Sequence, residues 1–178
     1  MRKKRHMLIG MILVGAFLLT GCTAVGPDPM RFQNEGFYTE IEGELAGKYF
    51  YAAVTVGQAS GIDGSGREVS VSFLPGSSFA GLTLAAVCTT DGRAIGEICV
   101  TYRGIGSLLH ADSAQGLLEV AVALLALSDH ETVQSENGKY VLTFSGERTL
   151  FLREDGVPIS YTSPRLCFTV RMWEAQKG

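Results

Sequence analysis

Polar and apolar residues alternate along much of this chain, which is the pattern of β-strands that bury one face. The clearest case is residues 68–73, where Glu, Ser and Ser alternate with Val, Val and Phe. Aromatic and β-branched residues at alternating positions predict further strands. The predicted strands are residues 49–56, 68–73, 82–89, 95–102, 139–145, 148–153, 159–162 and 166–173.

Short turn sequences join several of these strands into antiparallel pairs. The Asp-Gly pair at residues 91–92 favours the positive φ angles of a type I′ hairpin turn. Turn residues at 146–147 and 154–156 divide the last predicted strands, so residues 139–173 are predicted to form a four-strand antiparallel meander. The predicted loops are residues 57–67 and 128–138.

One segment has a helical pattern. Asp112 and Gln115 have the spacing of an N-terminal capping box, and residues 113–127 are apolar on nearly every side. This segment is shorter than the roughly 20 residues needed to cross a bilayer. The predicted helix must therefore be buried by the protein itself or by a bound apolar partner.

The first 22 residues have the features of an export signal. A cationic start at residues 1–5 precedes an apolar stretch at 7–19, and small residues follow it. The run Leu19-Thr20-Gly21-Cys22 resembles the lipobox of bacterial lipoproteins. The resemblance implies that residues 1–21 are removed, that Cys22 carries lipid, and that the protein is anchored to the extracytoplasmic face of the cell membrane.

The remaining chain divides into a short tether and one domain. Residues 22–36 contain glycine and proline without a helical or strand pattern, so they predict a tether. Residues 37–178 suit a single domain. The chain has a net charge of −3, and the signal holds four of its 15 basic residues and none of its 18 acidic residues. The acidic balance and the lack of a basic patch argue against a nucleic-acid partner.

The cysteines predict free thiols. Lipidation of Cys22 would leave Cys88, Cys99 and Cys167, an odd number in an exported protein. A hairpin turn at residues 91–92 would place Cys88 and Cys99 on one sheet face but several residues apart. A disulfide needs Cα atoms within about 7 Å, so this pair is disfavoured. We expect the three thiols to pack as small hydrophobic side chains.

Patterns for catalysis, metals and cofactors are incomplete. Residues 128–131 and the set Ser107, His110 and Asp112 contain the residue types of a nucleophilic site, but no G-x-S-x-G elbow accompanies them. No zinc-ligand spacing occurs, and the glycine-rich loop at 57–67 lacks the twelve-residue calcium pattern. We therefore predict no enzyme activity, no metal site and no cofactor.

Four short motifs add a family resemblance. They are residues 71–75 (VSFLP), 79–84 (FAGLTL), 91–92 (DG) and 152–160 (LREDGVPIS). In this order, around an apolar helix and after a lipobox, they resemble the outer-membrane lipoprotein carrier (LolA-like) family over about residues 37–173. The resemblance implies an α+β fold: a curved antiparallel sheet, or incomplete β-barrel, with a buried apolar helix on its concave face and a cavity for acyl chains.

The apolar sides of the strands and helix are the candidate ligand contacts, and the sequence leaves open whether they form a filled core or line a cavity. The predicted function is a membrane-anchored lipoprotein that binds an apolar ligand, a lipid or the acyl chains of another lipoprotein. The alternative is a non-enzymatic envelope interaction or sensory module with a filled core, using aromatic anchors such as Tyr49, Tyr51, Tyr102 and Trp173. The candidate ligand-binding residues are Phe50, Val54, Val71, Phe73, Leu84, Leu118, Leu125, Phe144, Phe151 and Phe168.

Overall fold

The computed structural model describes most of the predicted domain. The described residues are 32, 35–58, 66–89, 93–110, 115–125, 130–136 and 138–176. The predicted signal, the predicted lipidation site Cys22 and nearly all of the predicted tether lie outside them, as do the predicted turn at 91–92 and the predicted helix cap Asp112. No helix among the described residues is both long enough and apolar enough to cross a bilayer.

The described strands form a single eleven-stranded antiparallel sheet. In chain order they are β1 (Phe37–Leu45), β2 (Lys48–Val56), β3 (Gly66–Phe73), β4 (Leu82–Thr89), β5 (Ala94–Tyr102), β6 (Ile105–His110), β7 (His130–Glu136), β8 (Lys139–Phe144), β9 (Arg148–Arg153), β10 (Pro158–Thr162) and β11 (Leu166–Ala175). Their order in the sheet is β6-β5-β4-β3-β2-β1-β11-β10-β9-β8-β7. Two meanders therefore meet where the first strand pairs with the last.

Alternation along the strands gives the sheet two different faces. In β2, Phe50 and Val54 are buried, whereas Tyr51 and Thr55 on the other side of the strand are only half-buried. The buried side packs against the helical segment in one apolar cluster. We use the term helix face for this side together with the helical segment that packs on it, and the term outer face for the opposite side of the sheet.

A helical segment carries the chain from one edge of the sheet to the other. It consists of a 3₁₀ turn (Gln115–Leu118) and helix α1 (Glu119–Leu125), between β6 and β7. At 3.6 residues per turn, its buried residues cover roughly 220° of the circumference. An open sheet can bury this much of a helix if it curves around it, so the architecture fits an incomplete barrel. The buried residues are Leu118, Val120, Ala121, Ala123, Leu124 and Leu125.

Two predicted elements differ from the structure. Residues 115–125 are the described part of the helix predicted at 113–127, and within them only Glu119–Leu125 is α-helical. Gly116 lies in the 3₁₀ turn before it, and glycine weakens an α-helix by about 1 kcal/mol relative to alanine. The predicted loop at 128–138 is also wrong, because residues 130–136 form β7. As an edge strand with solvent on one side, β7 can carry many polar residues.

The pairing of β1 with β11 depends on a glycine. Gly43 lies opposite Phe168, and a Cβ atom at position 43 would overlap the carbonyl oxygen of Cys167 and lie 2.7 Å from the Phe168 Cα. The two backbones therefore approach closely only because residue 43 has no side chain. A register shift between Glu40 and Ile41 interrupts the same strand pair.

Candidate functional site

Nine of the ten predicted ligand-binding residues lie on the helix face. Each is at most 5% exposed, and all nine belong to the same apolar cluster as α1. The sheet and the helical segment therefore bring them together, and whether a ligand reaches them remains a prediction. These residues are Phe50, Val54, Val71, Phe73, Leu84, Leu118, Leu125, Phe144 and Phe168.

Phe151 does not share this face, so its placement with the other nine is wrong. Its neighbours Leu150 and Leu152 in β9 are fully buried, whereas Phe151 is only half-buried. Phe151 lies opposite Val141 in β8, another half-buried residue. The alternation of β9 points the two leucines towards the helix face and the phenylalanine towards the outer face.

The apolar surface of the helix face continues into solvent at β5 and β6. Ile98 is fully buried and lies opposite Leu109, which is 37% exposed. Tyr102 and Ile105 lie opposite each other and are 48% and 79% exposed. We call Tyr102, Ile105 and Leu109 the apolar rim. It extends the buried apolar cluster to the open edge of the sheet at β6.

The position of α1 explains why the rim is uncovered. Helix α1 contacts β3, whereas β5 and β6 lie two and three strands further along the sheet. Helix α1 forms an ion pair with the strand β10–β11 connection, in which Glu119 Oε2 lies 3.9 Å from Arg165 Nη2. The Arg165 side chain is 71% exposed. Such an exposed pair contributes only about 0–1 kcal/mol. Apolar packing therefore dominates the attachment of the helix.

The helix face also contains a buried arginine that the sequence analysis missed. Arg67 lies in β3 opposite Cys88, and its Nη2 donates a hydrogen bond of 3.0 Å to the Glu35 carbonyl oxygen. Burial lowers the pKa of Arg67 from its ordinary value. The sequence feature that indicates its inward orientation is its alternation with Val69 and Val71. Position 67, however, falls within the predicted loop at 57–67, outside the predicted strand.

The outer face of β1 carries acidic residues with specific partners. The Tyr38 and Tyr51 hydroxyls both donate hydrogen bonds to the Glu40 carboxylate, the first at 2.9 Å. Burial and the contact with Glu40 raise the pKa of Tyr38. The hydrogen bond from Tyr51 to Glu40 raises the pKa of Tyr51. Arg171 donates to Glu42 and lowers the pKa of that carboxyl. These contacts order the outer face without forming a pocket for an apolar ligand.

The four aromatic residues considered as protein-binding anchors do not form one patch. Tyr49 and Tyr51 lie on the outer face, where Tyr49 is exposed and Tyr51 is bound to Glu40. Tyr102 belongs to the apolar rim on the opposite face. Trp173 is half-buried and stacks on Phe37. A single partner surface cannot contact all four.

A groove of about 540 Å³ lies on the outer face of β2 to β5. Thr55, Ser70 and Ala85 form its floor, and Glu68 and Glu97 contribute carboxylates. It contains none of the predicted ligand-binding residues. Its mixed polar and apolar lining differs from the continuous apolar surface of the helix face.

The three cysteines in the described ranges are free thiols in two kinds of environment. Cys88 is buried, as expected, but Cys99 and Cys167 are exposed, so the prediction that all three pack in the interior is wrong. The prediction that Cys88 and Cys99 share a sheet face is also wrong. A two-residue turn at 91–92 would pair Cys88 with Ile95, but Cys88 pairs with Ala94, and this difference of one position puts Cys88 and Cys99 on opposite faces. Burial raises the pKa of the Cys88 thiol to about 11.

The residues considered for catalysis do not converge where the structure describes them. Ser107 and His110 are both exposed in β6, and the alternation of the strand directs them to opposite faces. Asp112 and residues 128–129 lie outside the described residues. Within the described ranges, no group of three His, Cys, Asp or Glu residues is arranged to hold a metal ion.

Comparisons with known proteins give structural neighbours at low sequence identity. A putative outer membrane lipoprotein-sorting protein domain from Vibrio parahaemolyticus matches 84% of this chain and 90% of its own, at 8% identity and a TM-score of 0.41. A DUF1329 family protein from Desulfovibrio piger matches 84% of this chain and 85% of its own, at 11% identity and a TM-score of 0.39. No protein-family model and no curated protein matches the chain.

Proposed function

We propose that this protein is a membrane-anchored extracytoplasmic lipoprotein that binds an apolar ligand, such as an acyl chain of a lipid or of another lipoprotein. The observation that carries the proposal is the continuity between the buried helix face and the apolar rim. Ile98 is buried and its partner Leu109 is partly exposed, so an apolar path leads from the core to the open edge.

An acyl chain suits this surface for an energetic reason. Covering apolar surface contributes about 25 cal/mol per Å², so an exposed apolar rim is stabilised by any apolar ligand that lies over it. The rim lies on the same face of the sheet as the helical segment, whose buried residues are all aliphatic. We place the ligand between α1 and the rim. The ligand then extends the apolar packing that already exists between α1 and β3.

A modest movement of α1 would enlarge this site. The helix has seven residues, and its ion pair with Arg165 is exposed and long. A ligand that enters at the rim can therefore displace the helix towards solvent while it replaces apolar contacts with similar ones. Leu118 and Leu125 at the two ends of the buried segment would then contact the ligand. This mechanism makes the helix a movable plug.

The proposal assigns a binding role and no catalysis to this chain. It is supported by the opposite orientations of Ser107 and His110. The proposed anchoring rests on the sequence Leu19-Thr20-Gly21-Cys22.

Two neighbouring leucines allow a matched test of ligand binding. Leu109 belongs to the rim, whereas Leu108 is exposed on the outer face of the same strand, opposite Cys99. The purified full chain in detergent is titrated with a fluorescent fatty acid, and solvent extracts are analysed by mass spectrometry. We expect Leu109→Asp to weaken binding by about tenfold or more, a loss of about 1.4 kcal/mol. Leu108→Asp should bind within about twofold of the parent protein.

Two results would overturn the proposal. One is a folded parent protein that shows no saturable binding of the fatty acid and yields no co-purified lipid. The other is an equal loss of binding in Leu108→Asp and Leu109→Asp, since only Leu109 faces the helix side of the sheet. Circular dichroism of each variant establishes that it is folded.

A further inference from the structure

Among the described strands, β6 forms an open edge of the sheet, and its side chains are unusual for an edge strand. All six of its residues are exposed, and His110 is its only titratable residue. Natural sheets commonly protect such edges with charged residues or proline, because an open edge can pair with another strand. The opposite edge strand, β7, has a more polar sequence, which includes the acidic residues Glu131 and Glu136. β6 therefore has the features of an edge that is covered by another strand.

The β5–β6 turn determines which backbone groups of β6 are available. Arg103 and Gly104 form a two-residue turn with φ angles of 50° and 83°, as in a type I′ hairpin. The flanking residues Tyr102 and Ile105 are then a hydrogen-bonded pair, and such pairs alternate with non-hydrogen-bonded pairs along the ladder. It follows that Gly106 and Leu108 direct their N–H and C=O groups away from β5.

We propose that β6 pairs in antiparallel orientation with β6 of a second copy of this chain, about a two-fold axis that passes beside Ser107. In this register Gly106 pairs with Leu108 of the second copy, and each such pair exchanges both backbone hydrogen bonds. Ser107 lies opposite its own copy as a non-hydrogen-bonded pair. The two sheets become one continuous sheet, and the contact is closed because the same strand is used on both sides.

The side chains of β6 complement one another in this register. Ile105 and Leu109, both on the helix face, lie opposite each other across the axis, and symmetry repeats this apolar pair. On the outer face Leu108 lies opposite Gly106, which has no side chain to collide with it. No carboxylate or ammonium faces a like charge across the axis. The same strand therefore supplies both halves of the contact.

The chemistry of β6 favours a second copy over β7 as the occupant. Pairing of β6 with β7 would join an apolar strand sequence to an acidic one and would leave open edges that continue to add subunits. Pairing of two short strands covers less than the roughly 1,200–2,000 Å² of a typical stable interface. We therefore expect a weak dimer that forms at high local concentration, as on a membrane surface.

This inference goes beyond the proposed function and does not depend on it. The strands pair in the plane of the sheet, so Ile105 and Leu109 still face the helix side. The rim of each copy then continues into the rim of the other. Dimer formation is measured by cross-linking and sedimentation and not by ligand binding, so a failure of ligand binding and a failure of pairing are separate results.

A cysteine at the axis tests the register directly. In a Cys99→Ser, Cys167→Ser background, Ser107→Cys places two thiols opposite each other, where Cα atoms of a non-hydrogen-bonded pair lie about 4.5 Å apart. This is within the reach of a disulfide. Copper phenanthroline is added to oxidise the thiols of the full chain in phospholipid vesicles. Non-reducing electrophoresis then detects covalent dimers. Ser135→Cys, in the exposed part of β7, is the matched control.

The expected result is a covalent dimer of Ser107→Cys and none of Ser135→Cys. Cross-linking that requires a mixture of the two variants would show β6–β7 pairing and overturn the proposal. Absence of a dimer from folded Ser107→Cys, or its cross-linking to a different protein alone, would also overturn it.

Sedimentation provides a second measurement without any disulfide. The full chain in detergent should show a concentration-dependent dimer, and Ser107→Lys should shift it to monomer because two like charges then meet at the axis. Ser135→Lys should sediment as the parent protein does. A dimer that persists unchanged in Ser107→Lys would contradict the proposed register.

Discussion

Phe37 stacks on Trp173, with ring centroids 4.4 Å apart and ring planes inclined by 23°. Phe32 packs edge-on against the same indole, with a centroid distance of 5.5 Å. Phe37 lies in β1 and Trp173 in β11, so this aromatic contact joins the first strand to the last. It stabilises the seam on which the single sheet depends.

Phe37→Ala should therefore destabilise the whole domain. Phe37 is 1% exposed, and replacement of a buried phenylalanine by alanine costs about 3–5 kcal/mol. Denaturant unfolding can be followed by the fluorescence of Trp173, the only tryptophan of the chain. Tyr49→Ala, on the exposed outer face, should change the free energy of unfolding by less than about 0.5 kcal/mol. Equal stability of the two variants would contradict this role of the seam.

Gly43→Ala should destabilise the domain more than the addition of one methyl group implies. The new methyl group would overlap the Cys167 carbonyl oxygen, and a backbone shift of this kind costs about 1–3 kcal/mol or more. Gly116→Ala is the control, because open space surrounds that position and alanine favours helical structure. Thermal unfolding should show a lower Tm for Gly43→Ala and an equal or higher Tm for Gly116→Ala. Similar effects at both positions would exclude the backbone clash as the cause.

The Cys88 thiol should make stability depend on pH in the alkaline range. Burial raises its pKa from 9.0 to about 11, so the folded state retains the proton longer than the unfolded state does. The stabilisation is fully present below about pH 9 and decreases as the pH rises towards about 11. Urea unfolding between these values should show a smaller loss of stability for Cys88→Ala than for the parent protein. An equal loss in both would mean that other groups cause it.

The three thiols should also differ in their reactivity. Cys99 and Cys167 are exposed, whereas Cys88 is buried and retains its proton at pH 8. Iodoacetamide at pH 8 should alkylate Cys99 and Cys167 first, and Cys88 only after addition of denaturant. Peptide mass spectrometry identifies the labelled positions. Early labelling of Cys88 in the folded protein would contradict its burial.

Cys22→Ser should release the protein from membranes if Cys22 is the lipidation site. The lipobox at residues 19–22 predicts acylation of this thiol, and about two acyl chains suffice for stable anchoring. In bacterial cells given radiolabelled palmitate, the parent protein should carry label and sediment with membranes. Cys167→Ser should behave in the same way. Label in Cys22→Ser, or an unlabelled parent protein, would contradict the predicted anchor.

The local elements of the fold could be predicted from the sequence because their signals lie within short segments. β4 and β5 follow from alternation around an Asp-Gly pair, and the meander from β8 to β11 follows from its turn residues. The position of helix α1 could be predicted from the sequence, but its length could not. Apolar content indicated its position, whereas the low helical propensity of Gly116, which apolar content does not record, favours a start of the α-helix after that residue.

The long-range features could not be predicted in this way. β1 alternates glutamates with a mixture of aromatic, polar and aliphatic residues, and Gly43 weakens its strand signal. Its pairing with β11 joins segments more than a hundred residues apart, and alternation does not identify the partner of a strand. β6 and β7 are edge strands whose composition reflects exposure, so they lack the regular alternation of half-buried strands.

The candidate site was predictable to the extent that it depends on strand parity. Nine of the ten predicted residues lie on the helix face. The placement predicted for Phe151 is wrong because Leu150 and Leu152 occupy the inward positions of the same strand. The apolar rim could not be recognised, because the sequence of β6 does not show how far the helix extends over the sheet. Arg67 was missed since a buried cation in a strand contradicts the usual polarity pattern.

The placement of β1 beside β11 has a consequence for biosynthesis. A nascent chain can form the meander from β1 to β6 early, but the partner strand of β1 is synthesised last. Until then β1 exposes its backbone groups to any extended polypeptide nearby, and contacts of such large sequence separation form slowly. Premature termination before residue 166 would thus leave an aggregation-prone intermediate, and quality control in the cell must deal with that species rather than with a stable smaller domain.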